Sequence, residues 1–194
     1  LQGDKYWNDV CTLLGRADLL ADARFATQQG RADHSGALIP ELEAAFARQI
    51  DMYMDRMVAM IAVMDKMHAE NLPTPFLSSV IDDCMEVGRD VTLGGAHYNF
   101  AGVQAIQAAN VADSLAAIRK FVYEEKSVSA EELLGALKSD FAGAELLRTR
   151  LIHKSPKYGN DIPEVDELGA KWTRYFGERL KMYKNRRGGV YQMG

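Results

Sequence analysis

The sequence has few of the residues that define several large classes of protein. Its 194 residues contain only two cysteines, Cys11 and Cys84, far apart in the chain. Such a pair does not make a disulfide framework, so the reducing cytoplasm is the expected compartment. No apolar run approaches the length of a membrane span, and no signal peptide precedes the first charged residues. We therefore expect a cytoplasmic protein that does not enter a membrane.

Clusters of positive charge and metal-ligand spacings are also scarce. The formal net charge is −4, and only Lys184, Arg186 and Arg187 form a tight basic cluster. This balance argues against nucleic acid as a partner, and we expect the cluster to lie at the end of a helix. None of the 4 histidines is spaced from another as zinc ligands are, so no metal site is predicted.

Apolar residues at helical spacing dominate what remains. The hydrophobic content of 47% suffices for the core of one domain, or of one large piece of a bigger one. We predict a mainly α chain with few short strands. The predicted helices cover residues 1–14, 37–46, 50–71, 75–88, 103–121 and 164–184, with shorter ones after a capping box at Ser129 and around 146–152. Residues 21–34 are predicted to be a loop, and the GGVY near the end a short extended segment.

A run of three polar side chains lies between glycines near the middle of the sequence. His97, Tyr98 and Asn99 present an imidazole, a phenol and an amide in succession. The glycines that bound this run are Gly94, Gly95 and Gly102. Glycine permits a tight turn or a close approach between backbones. The helix predicted after Gly102 is apolar or small on nearly every face, which is typical of a buried helix. The run is thus a candidate pocket lining, although a structural hydrogen bond is an equal alternative for His97.

Other residues with reactive or adaptable side chains have simpler interpretations. Cys84 shares a helical face with Val80 and Val87, so we predict a buried structural cysteine. Asp82 and Asp83 are adjacent and point from different faces of a helix, so they do not form an acid–base pair. A methionine-rich stripe follows the predicted helix over 50–71, comprising Met57, Met60, Ile61, Met64 and Met67. It either packs in a core, which we favour, or binds a partner.

The polar run lies in a stretch that resembles a known family. GGAHYNFAGVQ, with ANVADSLAAIRKFVYEEK after it, strongly resembles the glycyl radical enzymes of the pyruvate formate-lyase-like group, especially the branch with diol dehydratases. Further matching motifs are DKMHAENLPTPFLSSVIDDCMEVGRDV, LRTRLIHKSPKYGNDIPEVDELGAKW and YKNRRGGVY. The resemblance covers about residues 46–194. It implies that this part is the helical portion of a glycyl-radical-enzyme α/β barrel.

The resemblance also implies a type of chemistry. Such enzymes use a glycyl radical, installed by a radical-SAM activating enzyme, to make a thiyl radical that abstracts hydrogen from a small-molecule substrate. By resemblance, His97, Tyr98 and Asn99 contribute to the substrate cavity, with Tyr98 the strongest candidate. The sequence has no Gly-Cys-x-Glu-type loop and no Arg-Val-x-Gly-Tyr-like radical motif. We therefore assign no catalytic residue, cofactor or metal to this chain, and expect it to be inactive alone.

The first part of the chain resembles a different family. Residues 3–46, with the patterns KYW, LGR and LLADARF, resemble a stretch of the family III CoA-transferases. The sequence thus predicts a helical segment over 1–45 and a pyruvate formate-lyase-like segment over 46–194. Such a composite would be a chimera, an assembly artefact or an unusual fusion, joined within a helix near 44–50.

Two other functions and an assembly state complete the expectations. A non-catalytic helical interaction or structural protein is the alternative function, because reactive motifs are missing and the methionine stripe suits a partner. CoA-transferase activity is the weakest, because no catalytic aspartate motif is recognisable. Apolar surface in excess of the available cover predicts self-association as a homo-oligomer.

Overall fold

The chain is mainly helical, as the sequence predicts. The computed structural model describes the backbone of residues 4–194 and the side chains of residues 6–12 and 14–194. The helices are α1 Asp4–Leu13, α2 Ala17–Ala21, α3 Gln28–Asp33, α4 Ser35–Asn71, α5 Pro75–Val80, α6 Cys84–Val87, α7 Ala108–Ile118, α8 Ala130–Lys138, α9 Glu145–Lys154 and α10 Pro163–Leu180. The strands are β1 Ala101–Val103 and β2 Tyr191–Met193. This two-stranded sheet is far from a barrel, so no barrel is visible within the described residues.

The residues form two compact units, and each unit is built from two separate segments of the chain. The first unit contains the residues up to Gln49 and Gln107–Ala170, and the second contains Ile50–Ile106 and Lys171–Gly194. Both α4 and α10 therefore contribute to each unit. The predicted division after residue 45 concerns family resemblance, and it remains a prediction. Within the described residues, no helix has the combination of length and apolar character needed to cross a membrane.

One small core in the first unit is built from the beginning of the chain. Its buried residues are Trp7, Cys11, Leu19, Phe25 and Leu38. The prediction of a loop over 21–34 is wrong, because this segment forms a 3₁₀ turn at Ala23–Phe25 followed by α3. Asp22 and Thr27 cap these elements by accepting hydrogen bonds from backbone N–H groups. Caps and one buried aromatic ring thus order a segment that lacks a sustained apolar period.

The rest of the first unit packs around the end of α7. A π-helical segment, Arg119–Glu124, follows α7 directly and buries Phe121 and Val122. Ser129 then caps α8 by accepting a hydrogen bond from the N–H of Glu132, which confirms the predicted cap. The helix predicted over 103–121 does not start where we expected. α7 begins only at Ala108, after Gln107 with φ of 67°.

α7 is apolar or small on nearly every face, but it is only partly buried in this chain. Ala112 and Ala116 are buried, whereas Val111 and Leu115 are exposed. The small Ala112 and Ala116 therefore face the first unit, and Ile118 packs against its Phe121 cluster, whereas Val111 and Leu115 face outward.

The core of the second unit is formed by α4, α10 and the two strands. Its buried residues are Met54, Ala101, Val103, Leu180 and Tyr191. Residues 37–46 and 50–71 run into one helix of 37 residues, in agreement with the expected join within a helix near 44–50. The methionine stripe is divided: Met57 packs against this core, whereas Met60, Met64 and Met67 are exposed.

The strands were the least predictable elements of the second unit. Residues Ala101–Val103, expected to be helical from 103, pair in parallel with Tyr191–Met193. The extended segment expected at the end of the chain is thereby confirmed. Only this distant partner makes 101–103 a strand, since three residues carry no period of their own.

Two other local predictions need correction. The helix expected over 75–88 breaks between α5 and α6, where Asp83 has φ of 72°, a backbone conformation that a helix cannot continue through. The basic cluster does not lie at a helix end, since α10 stops at Leu180. Lys184 instead pairs with Val190 in a bridge, and Arg187 lies 3.6 Å from a carboxylate oxygen of Asp65.

Candidate functional site

The loop that carries the polar run is shaped by its two leading glycines. Gly94 has φ of 84°, a conformation that favours glycine. A Cβ on Gly95 would overlap the carbonyl oxygen of Arg89. Both positions thus exclude a side chain, one because of its backbone torsion and the other because of a close backbone approach. The loop then leads into β1, so its far end is fixed by the sheet.

The aromatic rings of the loop contact each other in sequence. The rings of His97 and Tyr98 meet edge to face, with centroids 4.7 Å apart. Tyr98 stacks on Phe100, with centroids 5.9 Å apart and planes inclined by 20°. Tyr98 is 73% exposed in this chain, so its phenol is available to another molecule or segment. Asn99 is half-buried, and its side-chain amide donates to the carbonyl of Ala96.

An open depression of about 390 Å³ borders the loop. It is lined by Asp83, Val87, Arg89, Gly94, Gly95, Ala96 and His97. His97 therefore borders this depression, while Tyr98 and Asn99 are not among its lining residues. Asp83 and Arg89 were not singled out as site residues from the sequence. They line the depression because the break between α5 and α6 turns this part of the chain towards the loop.

The base of the loop is tied to α5 by Asp90. Its carboxylate accepts hydrogen bonds from the N–H of Thr74 at 2.9 Å and from the hydroxyls of Ser78 at 2.8 Å and Thr92 at 2.6 Å. The bond from the Thr92 hydroxyl is the largest cause that lowers the pKa of Asp90 to about 2. Because the folded pKa is depressed, the stabilising charge is fully present above about pH 4 and is lost as the pH falls towards 2.

The segment after α10 holds the other side of the loop. Asn185 donates from its side-chain amide to the carbonyl oxygen of Asn99. Arg187 donates to the carbonyl oxygen of Phe100 at 3.2 Å. Sequence reasoning missed both residues, because no local pattern links positions so far apart in the chain.

Groups capable of covalent or metal chemistry are sparse around the loop. Cys84 is buried, as predicted, and this burial raises the pKa of its thiol, which favours the neutral form. Among the residues that the structure describes, no group of three or more His, Cys, Asp and Glu side chains is arranged to hold a metal ion. What the loop offers is polar and aromatic side chains on a backbone held by hydrogen bonds to Asp90, Asn185 and Arg187.

Comparison of the sequence with models of protein families shows which family this chain belongs to. A model described as pyruvate formate lyase-like matches residues 12–194. The chain belongs to the pyruvate formate lyase-like family. This confirms the resemblance inferred over 46–194, and the family match includes most of the preceding residues as well.

Individual relatives of this pyruvate formate lyase-like chain include dehydratases. The trans-4-hydroxy-L-proline dehydratase of Clostridioides difficile is 37% identical over 139 residues, covering 71% of this chain and 18% of the relative. A structure concerning 1,2-propanediol dehydration in Roseburia inulinivorans is 41% identical with a TM-score of 0.68, covering 80% of this chain and 20% of that one. A glycyl radical enzyme from Archaeoglobus fulgidus has a TM-score of 0.69 at 35% identity, with the same coverage of both chains.

The pyruvate formate lyase-like chain therefore spans about a fifth of the length of these relatives. A short match to a CoA-transferase also exists. A protein described as a probable fatty acyl-CoA transferase from Mycobacterium tuberculosis is 46% identical over 43 residues, which is 22% of this chain. This partial match agrees in length with the resemblance inferred over residues 3–46.

Proposed function

We propose that this chain supplies scaffold and part of the substrate pocket of a glycyl radical lyase or dehydratase. The observation that carries the proposal is the loop with exposed aromatic and polar side chains, held by hydrogen bonds from Asn185 and Arg187, in a chain whose family includes dehydratases. Tyr98, Asn99 and His97 would contact the substrate. The radical glycine and the reactive cysteine loop would come from other segments of the enzyme, because these 194 residues contain neither motif.

The chemistry of the loop suits such substrates. Hydroxyproline and propanediol, named for the relatives, carry hydroxyl groups that need hydrogen-bonding partners for orientation. A phenol both donates and accepts, and an amide provides both functions on separate atoms. The glycyl radical, installed by a radical-SAM activating enzyme, would generate the thiyl radical that abstracts hydrogen from the substrate. The loop's part is to orient the substrate and help exclude water from a reactive intermediate.

Tyr98→Phe tests this role. The host is a loop graft, the C. difficile hydroxyproline dehydratase carrying residues 94–103 and 184–193 of this chain in place of its own. We expect kcat/KM for trans-4-hydroxy-L-proline to fall about 10- to 100-fold, since an unpaired hydroxyl of the substrate would be left in the cavity. The radical signal in electron paramagnetic resonance should keep its intensity. Gln192→Glu, at an exposed position of the same graft, is the matched control. Unchanged kinetics for Tyr98→Phe would contradict the pocket role.

A non-catalytic interaction protein is the second candidate. The exposed Met60, Met64 and Met67, together with Val63, form an adaptable apolar face on α4 that favours it. The same face would serve the homo-oligomer that we expected from the sequence. In the catalytic alternative, this surface would be covered by the remaining length of the enzyme.

A further inference from the structure

The turn from Asn185 to Gly189 is built around one buried side chain. Asn185 is only 6% exposed. Its side-chain oxygen accepts hydrogen bonds from the N–H groups of Arg187 and Gly189, each at 3.0 Å. Its side-chain nitrogen donates to the carbonyl of Asn99 in the candidate site. One amide thus shapes its own turn with one end and holds the loop with the other.

Arg187 makes a second link to the same loop. Its guanidinium donates to the carbonyl of Phe100 at 3.2 Å and lies 3.6 Å from a carboxylate oxygen of Asp65 on α4. The next link is the N–H of Ala101, which donates to the carbonyl of Val190 at 3.1 Å. Three successive residues of the loop end, 99 to 101, are therefore each bound to the segment 185–190.

The glycines of the two segments permit this approach. A Cβ on Gly189 would overlap the carbonyl of Asn99, and a Cβ on Gly94 would lie 3.0 Å from the carbonyl oxygen of Arg187. Gly94-Gly95 and Gly188-Gly189 lack the spacing of phosphate loops. Gly94 and Gly189 let the two backbones meet without side chains between them, whereas Gly188 meets no atom within 4 Å and provides a turn with φ of 86°.

We propose that Asn185 and Arg187 are positioning residues that fix the backbone of Asn99 and Phe100, and thereby orient Tyr98. Tyr98 precedes the first held carbonyl and stacks on Phe100. A shift of that backbone would therefore move the phenol. The significance for catalysis rests on the proposed function, whereas the positioning itself is a property of this chain.

Asn185→Asp separates the two ends of the amide. The carboxylate keeps the acceptor for Arg187 and Gly189, but it removes the donor and faces the carbonyl of Asn99 with a second acceptor. In the full chain, hydrogen exchange of a peptide spanning 99–103 should become about tenfold faster or more. Exchange within 185–190 should change less than twofold. Exchange over 99–103 equal to that of the unchanged chain would overturn the proposal.

A second pair of variants keeps the test decisive if Asn185→Asp unfolds. Arg187→Met preserves most of the side-chain stem and removes the donor to Phe100. Arg186→Met removes an adjacent, exposed charge and is the matched control. We expect faster exchange over 99–103 for Arg187→Met only. Equal exchange in both variants would contradict the proposal.

Kinetics then distinguish positioning from the proposed function. In the loop graft, Asn185→Asp should raise KM for trans-4-hydroxy-L-proline about tenfold and change kcat less, because binding groups are displaced without loss of a reactive group. Faster exchange in the full chain with an unchanged KM would support the positioning role and contradict the pocket role of the loop.

Discussion

Gly189→Ala is expected to lower the free energy of unfolding by about 3 kcal/mol. The added methyl group would overlap the carbonyl carbon and oxygen of Asn99, and it would lie 3.2 Å from the side-chain nitrogen of Asn185. Neither backbone can withdraw easily, because the following residues of both segments pair in the sheet. Urea denaturation followed by circular dichroism measures the loss.

Gly102→Ala is the matched control for this substitution. Gly102 lies on β1 close to the same contact, and a Cβ there meets no atom within 4 Å. We expect a change within about 0.5 kcal/mol, since the methyl group enters open space. Equal losses for the two variants would show that glycine matters for its flexibility, and not for the close approach of the two backbones.

Phe121→Ala should cost about 3–5 kcal/mol of unfolding free energy. Phe121 is 1% exposed and packs in the cluster that includes Val128 and Leu133. The guanidinium carbon of Arg150 lies 4.9 Å from its ring centroid, so the variant also loses a cation–π contact. The π-helical segment directs this ring inward, and a cavity would remain in its place.

Phe76→Ala makes the same chemical change at a position that is 84% exposed. It removes little buried surface, so we expect a change within about 0.5 kcal/mol in the same denaturation experiment. A small effect for Phe121→Ala, similar to that of Phe76→Ala, would mean that the first unit lacks a well-packed core.

Local signals were sufficient for most helices. The apolar period over 164–184 predicted α10, and the serine with its glutamate three residues later predicted the start of α8. The helical pattern on both sides of the expected join near 44–50 predicted the continuous helix α4. These features depend on residues within one or two turns of each other, which is the range that sequence periodicity describes.

Features that depend on distant residues were not predictable. β1 is a strand because of a partner at the other end of the chain, and α7 starts later than its apolar composition suggests. The exposed Val111 and Leu115 show that composition indicates a need for cover without saying where the cover lies. The chain spans about a fifth of the length of its relatives.

The candidate site was predictable in part. Composition and glycine spacing singled out His97, Tyr98 and Asn99, and their role in a pocket remains a prediction. Asp90, Asn185 and Arg187 were invisible as loop supports, because each acts through hydrogen bonds to segments that only the fold brings near.

Substrate-dependent hydrogen exchange of the loop tests the central claim most directly. The sample is the activated loop graft, held anaerobically with and without saturating trans-4-hydroxy-L-proline. If residues 97–99 line the substrate cavity, hydrogen exchange of the peptide spanning 95–100 should be slowed at least about tenfold when substrate is bound. Unchanged exchange of this peptide, in a graft that turns over the substrate, would contradict the claim that this chain contributes to the pocket.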